Sequence, residues 1–451
     1  MPTLALVLEL HHPLPAPGRG AGPEWARSAA EVFWPLLRAL DDFAGRAGDA
    51  SITLAVSPSW SALAADPAAR RLVRRELQAE ARRREGGRPL LRFVAESGGD
   101  ALALIRRWHA SGAIEAIPTA AAHAWLPSVA ADPTVAGAQI GLAAADHASR
   151  FDARPSGIWL PFLSYAPGLE ATMAAHGLRY FGVSADAFLR GTVLPPAGTL
   201  APMATPAGVA AYAVSPPPGP AVDPRQGYGL DPRYADPKQA PRAALDHAQH
   251  FLDRWAEEAS TPPPDADADA PAEPVSVVAL SAHDLARAWP HGGVDAWLAR
   301  LLERLSGDGT VRASSLGRHL ARNPVGVMGR PAAAAGGPLA ARPAGSDLYD
   351  RCRAAADLLT FALERRRTLG PEGREALAGM LRSLLRAQQI DWSHPVHGGV
   401  DPDEGLRRAS AHLARFHECA AALLSGRPGL LPREPGPAFL PNLDPDDAAP
   451  G

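Results

Sequence analysis

The chain has 451 residues, of which 46% are hydrophobic and 21% charged, enough for two or three domains around a large core. Its formal net charge is −3 and its arginines are spread over helix faces rather than gathered in a stripe, which excludes a phosphate-tracking surface and makes nucleic acid an unexpected partner. Met1-Pro2-Thr3 puts no basic residue before the first apolar run, no stretch of about 18 apolar residues follows, and only Cys352 and Cys419 are present. A cytoplasmic protein with reduced, buried thiols and no membrane span is the expectation.

In chain order, seven short apolar runs read as strands: Leu4–Leu8, Ile52–Val56, Ile114–Ile117, Gly157–Leu160, Tyr180–Val183, Val275–Leu280 and Val311–Ser314. Several are apolar on both faces, as parallel strands covered by helices are. Between them, Glu24–Ala44, Ala68–Glu85, Asp100–Ala110 and Val135–Phe151 carry apolar residues at helical spacing, with Gly112 placed to cap the third. The pattern predicts a (β/α)7 barrel over residues 1–320. An insertion at 190–274 interrupts it, holding a helix near Ala243–Glu258 and ending in a Pro- and Asp-rich linker, 259–274. A second low-complexity stretch, 322–345, leads to an α-helical C-terminal domain at 346–426, with helices Asp347–Thr368, Pro371–Gln389 and Glu404–Leu424. Ser346, Gly370 and Pro371 fit its helix boundaries, and a flexible tail is expected over 427–451.

Barrels of this kind build their sites at the C-terminal ends of the strands. Those positions carry Glu9, His11 and His12; Ser57 and Trp60; Thr119, His123 and Trp125; Phe162 and Tyr165; Ser184 and Asp186; Ser281, His283 and Asp284; and Ser314 and Ser315. Aromatic faces beside hydrogen-bonding groups suit a sugar ring, although a Trp at a barrel mouth equally serves as filling. His11 and His123 are the first candidates for sugar contacts, with Trp60, Trp125, Tyr165 and Trp392 as further binding candidates. Trp159 lies inside a strand and reads as core. His247 and His250 lie one turn apart on a helix and fit the cleft or a solvated face equally.

At these residues the chain resembles glycoside hydrolase family 57, most of all its 1,4-α-glucan branching enzymes. Leu6-Val7-Leu8-Glu9-Leu10-His11-His12-Pro13 is similar to the family's opening Leu-Val-Leu-His-Ala-His-Leu-Pro, with Glu9 in place of the first histidine. Ala121-Ala122-His123-Ala124-Trp125-Leu126-Pro127 keeps the histidine of a second motif. The segments Ala201 to Val209, Gly227-Tyr228, His247 to Phe251 and Asp391-Trp392 also look like branching-enzyme sequence. The resemblance implies a barrel acting on α-glucan with no cofactor and no metal.

The two catalytic positions depart from the family. Where its Gly-x-Trp-Leu-Pro-Glu motif supplies the nucleophile, Gly157-Ile158-Trp159-Leu160-Pro161 continues into Phe162, and an ungapped match places Ser281 at the acid/base aspartate. Retaining chemistry needs two carboxyl groups about 5–5.5 Å apart. Phe162 and Ser281 supply neither, so a catalytically inactive member that at most binds α-glucan is the expectation. Two alternatives stand beside it. Glu9, Asp186 and Asp284 could form a relocated carboxylate pair in an active glycosidase or transglycosylase. Less favoured is a metal-dependent carbohydrate-modifying barrel using Glu9, His11, His12, His123, His283 and Asp284. Adjacent His11 and His12 point to opposite sides of an extended backbone, which counts against the metal.

Overall fold

In the computed structural model, the residues described are 2–16, 19–83, 87–259, 273–290, 292–306, 311–334, 346–392, 402–426, 431 and 437–448. Eight strands form one sheet: β1 (Thr3–Leu10), β2 (Ile52–Val56), β3 (Ile114–Pro118), β4 (Gly157–Ile158), β5 (Tyr180–Ser184), β6 (Met203–Ala204), β7 (Ala210–Ser215) and β8 (Val275–Ser281). Seven of them run parallel in the order β3-β2-β1-β8-β7-β5-β4, while β6 pairs antiparallel to β7 outside the ring. A parallel bridge between Thr119 and Trp159, with Trp159 N donating to Pro118 O at 2.9 Å, joins β3 to β4. The result is the (β/α)7 barrel that the alternating pattern predicts, followed by a helical C-terminal region.

One strand assignment is corrected. The seventh barrel strand is β7, inside the segment read as an insertion at 190–274, and not Val311–Ser314, where Ala313 makes a single bridge to Leu4. The run Ala-Ala-Tyr-Ala-Val-Ser is rich in alanine, which has low strand propensity, and stops at three prolines, so it lacks the Val/Ile signature of its neighbours. Its place in the sheet comes from pairing with β5 and β8. The linker residues 260–272 and the stretch 335–345 lie outside the described residues.

The barrel interior is filled by large side chains rather than left as a pore. Trp159, Tyr180 and Tyr212 are buried there with Val7, Ile117 and Val277. Gly182 is required by this packing, since a Cβ there would sit 2.7 Å from the Trp159 ring. At the N-terminal end the short helix Leu316–Arg322 plugs the barrel. Its first amides are met from the strands: Ser315 N donates to Ser51 Oγ at 2.9 Å, Leu316 N to Thr53 Oγ1 at 3.0 Å and Gly317 N to Glu115 Oε2 at 2.8 Å. These bonds satisfy donors that a helix start otherwise leaves open.

Outside the barrel, Pro23–Ser28, a π-helical turn Ala29–Phe33 and Trp34–Ala44 make one continuous helical stretch, and Pro133–Phe151 covers the far side. Gly112 ends the helix Ala101–Ser111 at φ +76°, a left-handed conformation that glycine takes without penalty. The C-terminal region comprises Ser346–Leu363, Pro371–Ala387 and Pro402–Ser425, with Gly370 at the N-cap and Pro371 in the first turn of the second helix. The tail does not fit the expectation of a free end throughout. Within it, residues 437–448 are docked: Phe439, Leu440 and Ala448 are buried, Asn442 Nδ2 donates to Ser149 Oγ at 2.6 Å, and Asp446 pairs with Arg366 at 2.8 Å and Arg374 at 3.0 Å. Three apolar anchors among prolines and aspartates are too sparse to register as a periodic element, yet they suffice to pack against the helices.

Candidate functional site

Two histidines and one aspartate meet at the C-terminal mouth of the barrel. His11 stands just past β1, and its ring stacks on His123 with centroids 3.5 Å apart and planes 13° from parallel. Asp391 is brought in from the short turn Ile390–Trp392 that follows the second C-terminal helix, and its Oδ2 lies 2.9 Å from His11 Nε2. The docking is done by backbone: Ala124 bridges Gln389, and Ile390 N donates to His123 O at 3.3 Å. Gln389 Nε2 also donates to Asp391 Oδ2. His11 Nδ1 is 3.0 Å from Ser57 Oγ and 3.3 Å from Ser59 Oγ. With Asp391 as acceptor, His11 carries its proton on Nε2 and accepts a serine hydroxyl at Nδ1. Burial, then the neighbouring His123, lowers the His11 pKa, so the ring is neutral near pH 7.

His123 occupies a left-handed backbone position, φ +53°, that non-glycine residues rarely adopt. Its Nε2 is 3.2 Å from Glu9 Oε1, while Nδ1 lies 3.9 Å from Asp391 Oδ2. Phe162 and Leu163 continue the unusual geometry at φ +55° and +53°, and the half-exposed Phe162 ring stands 5.6 Å from the His123 ring. Ser281 ends β8 and caps the next helix; its Oγ donates to Asp284 Oδ2 at 2.7 Å and accepts from Asp284 N at 3.0 Å. Partial enclosure at the mouth, together with the charge of Glu9, raises the Asp284 carboxyl. Glu9 and Asp284 therefore feel each other across the mouth.

Several candidates lie elsewhere. Trp60 is 1% exposed, edge-on to Trp25 and Phe33, and belongs to the core. Tyr165 is buried with its hydroxyl donating to Glu170 at 2.8 Å. Trp392 is buried beneath Asp391, donating Nε1 to Arg386 O and stacked on His412. The sugar-contact reading of these three is corrected, because a covered ring face has no room for a ligand. Asp186 is exposed and paired with Arg190 at 2.7 Å, away from the cluster. His247 and His250 are engaged by the hydroxyls of Tyr234 and Tyr228 at 3.0 and 2.8 Å. His12 turns away from His11, donates Nδ1 to Pro13 O at 2.9 Å and meets the edge of Trp25. Trp125 is half-buried and stays open on one side. Asp391 was visible in the sequence only as half of a family-like dipeptide, and nothing local signals its contact with His11, 380 positions away.

His11, His123 and Asp391 offer ligand atoms within 4.8 Å of one another. An imidazole binds a cation along a lone pair lying in its ring plane, and two near-parallel planes 3.5 Å apart share no such point. One ring would have to swing out of the stack, so the arrangement is a hydrogen-bonding floor rather than a ready coordination shell.

The buried histidines make the fold acid-sensitive. Burial depresses His12 to about 4 and His147, in the helix Pro133–Phe151, to about 3. Their folded values lie below the unfolded value, so the unfolded chain takes up protons first as pH falls. The stability they contribute is complete above about pH 6.5 and is lost below it, by on the order of 2 kcal/mol per histidine between pH 6.5 and 5. Asp146, raised by burial, opposes the trend. Urea midpoints should drop between pH 7 and pH 5; a flat profile would contradict the assignment of neutral buried rings.

Residues 87–213 match the family model for glycosyl hydrolase family 57. The 1,4-alpha-glucan branching enzyme TK1436 of Thermococcus kodakarensis is 33% identical over 100 residues, a match that spans 19% of this chain and 15% of that enzyme. Over nearly the whole length the fold is similar to the alpha-amylase AmyC from Thermotoga maritima, with a TM-score of 0.83, 20% identity and 99% of each chain covered. It is also similar to the solved structure of TK1436 in complex with glucose, with a TM-score of 0.80, 21% identity, and 100% and 94% of the two chains covered. Four strands (β3 to β6), the His123 loop and the Phe162 turn all fall inside the matched segment, and the whole chain shares its fold with the solved glycosyl hydrolase family 57 branching enzyme: residues 87–213 are similar to glycosyl hydrolase family 57, and the barrel has that family's fold.

Proposed function

We propose that this protein holds an α-glucan at the mouth of a family 57 barrel and does not cut it. The observation that carries the reading is the pair of positions to which the family motifs assign the two catalytic carboxylates. One is the Phe162 ring, which can form no glycosyl ester, and the other is the Ser281 hydroxyl, which is engaged by Asp284 and too weak an acid to protonate a leaving oxygen. The floor of His11, His123, Asp391 and Glu9 offers donors and acceptors to sugar hydroxyls, and the Phe162 face lies next to them. Electrophoresis in gels containing amylose or glycogen tests binding. Wild type should be retarded, and His123→Ala should lower the apparent affinity roughly tenfold, the worth of one or two hydrogen bonds. Migration indifferent to either polysaccharide would sink the proposal.

A second reading is favoured by one feature, the raised carboxyl of Asp284 beside Glu9. A carboxyl held more protonated beside a second acidic side chain is one half of the division of labour that acid and nucleophile share in glycosidases. The engagement of Asp284 with Ser281 weighs against it, since that bond stabilises the ionised form.

A further inference from the structure

A groove enclosing about 960 Å³ runs from Gln389, at the edge of the mouth, between the Trp125 loop and the helix Ser346–Leu363. We propose that it is a binding groove for an extended, neutral saccharide chain, continuing the mouth site; the inference rests on the mouth being a saccharide site. Three polar atoms of residues that line it, Trp125 Nε1, Thr360 Oγ1 and Gln389 Oε1, are buried and have no hydrogen-bond partner among the described residues. Gln389 is 3% exposed, and its amide nitrogen is already committed to Asp391, which fixes the oxygen as the group in need of a donor. A buried polar group left unmet is costly, so a groove lined by three of them calls for a ligand able to answer each. The indole N–H requires an acceptor, the amide oxygen requires a donor, and the threonine hydroxyl can be either. Sugar hydroxyls both donate and accept.

The opposite wall narrows the class further. Asp350, Arg353, Asp357 and Thr360 recur at helical spacing along the groove, beside Leu348, Cys352 and Ala356 of the same helix, so this side of the helix presents a polar stripe next to an apolar one. Two carboxylates against one guanidinium repel a polyanion, and an apolar chain would leave the three buried polar atoms unanswered. The volume lies at the top of the roughly 300–1,000 Å³ usual for ligand clefts, more than one sugar ring fills. Gln389 bonds Asp391, which bonds His11, so the end of the groove lies next to the floor of the mouth.

Isothermal titration of the full chain with maltose and with maltoheptaose tests this. Wild type should bind maltoheptaose roughly tenfold or more tighter than maltose. Trp125→Phe, which keeps the ring and removes the N–H, and Thr360→Val, which removes the hydroxyl at constant shape, should each weaken maltoheptaose about fivefold and leave maltose unchanged. Asp357→Ala, at an exposed position, should also weaken maltoheptaose selectively and serves if either buried variant fails to fold. Equal affinities for the two sugars in wild type, or tight maltoheptaose binding indifferent to these variants, would overturn the groove while the mouth reading stands. Binding of neither sugar would overturn both.

Discussion

Amylose incubated with the purified protein is expected to keep its chain-length distribution, with no shortening, branching or transfer. In a two-carboxylate mechanism the loss of either group costs on the order of 10³-fold or more, and losses within one catalytic unit do not add, so a second replacement costs little further. It follows that Phe162→Glu alone and Ser281→Asp alone should stay silent, whereas the double variant should gain measurable turnover. The local structure accommodates both changes. The Phe162 side chain is half-exposed on its turn, where a glutamate reaches solvent and His123. Ser281 is a helix N-cap, a position that aspartate fills as well as serine does. Turnover by wild type that follows the protein peak through purification would sink the non-cutting reading. Glu9→Gln and Asp284→Asn would then say where the activity lives: abolition by both assigns it to the relocated pair, and survival in both removes that pair from consideration.

How far the sequence could be read depended on whether a feature is local. Strands such as β1 and β8 announce themselves as uninterrupted β-branched and leucine runs, and Gly112 marks a helix end by its own conformational freedom. β7 was hidden because alanines carry little strand signal, and its position is decided by neighbours far away in sequence. The same distinction separates the site residues. His11 and His123 were legible through their motifs, and so was the loss at Phe162. The stacking of the two rings, the reach of Asp391 across the mouth and the open polar atoms of the groove depend on how the C-terminal turn docks on the barrel. Aromatic residues misled for a physical reason. A seven-stranded barrel and its helices need bulky filling, so Trp60, Tyr165 and Trp392 satisfy packing at the positions where a sugar platform was expected. Trp125 alone of the four aromatic candidates keeps a side open to a groove.

Glu115→Ala is expected to be among the most destabilising single changes in the barrel, at about 3 kcal/mol. The carboxylate sits at the closed end, opposite the mouth, where Oε2 accepts from Gly317 N at 2.8 Å and Oε1 from Ser156 Oγ at 2.6 Å. It thus ties β3 and the segment before β4 to the helix Leu316–Arg322 that plugs the interior. A carboxylate at a helix N-terminus also answers the positive end of the helix dipole. Alanine leaves the Gly317 amide and the Ser156 hydroxyl without this acceptor, and that desolvation, more than the bond itself, sets the magnitude. Glu115→Gln should cost about half as much, since its carbonyl still accepts from Gly317 while the charge is lost. The geometry also reverses a common rule. Alanine for glycine inside a helix ordinarily stabilises by up to ~1 kcal/mol, but a Cβ on Gly317 would lie 2.0 Å from Glu115 Oε1, so Gly317→Ala should destabilise. Urea midpoints for the three variants check the set, with saccharide binding unchanged in folded protein because the plug and the mouth lie at opposite ends of the barrel. A Glu115→Ala midpoint within about 0.5 kcal/mol of wild type, or a stabilising Gly317→Ala, would mean that the plug is held by packing around Leu316 and Tyr212 rather than by this carboxylate.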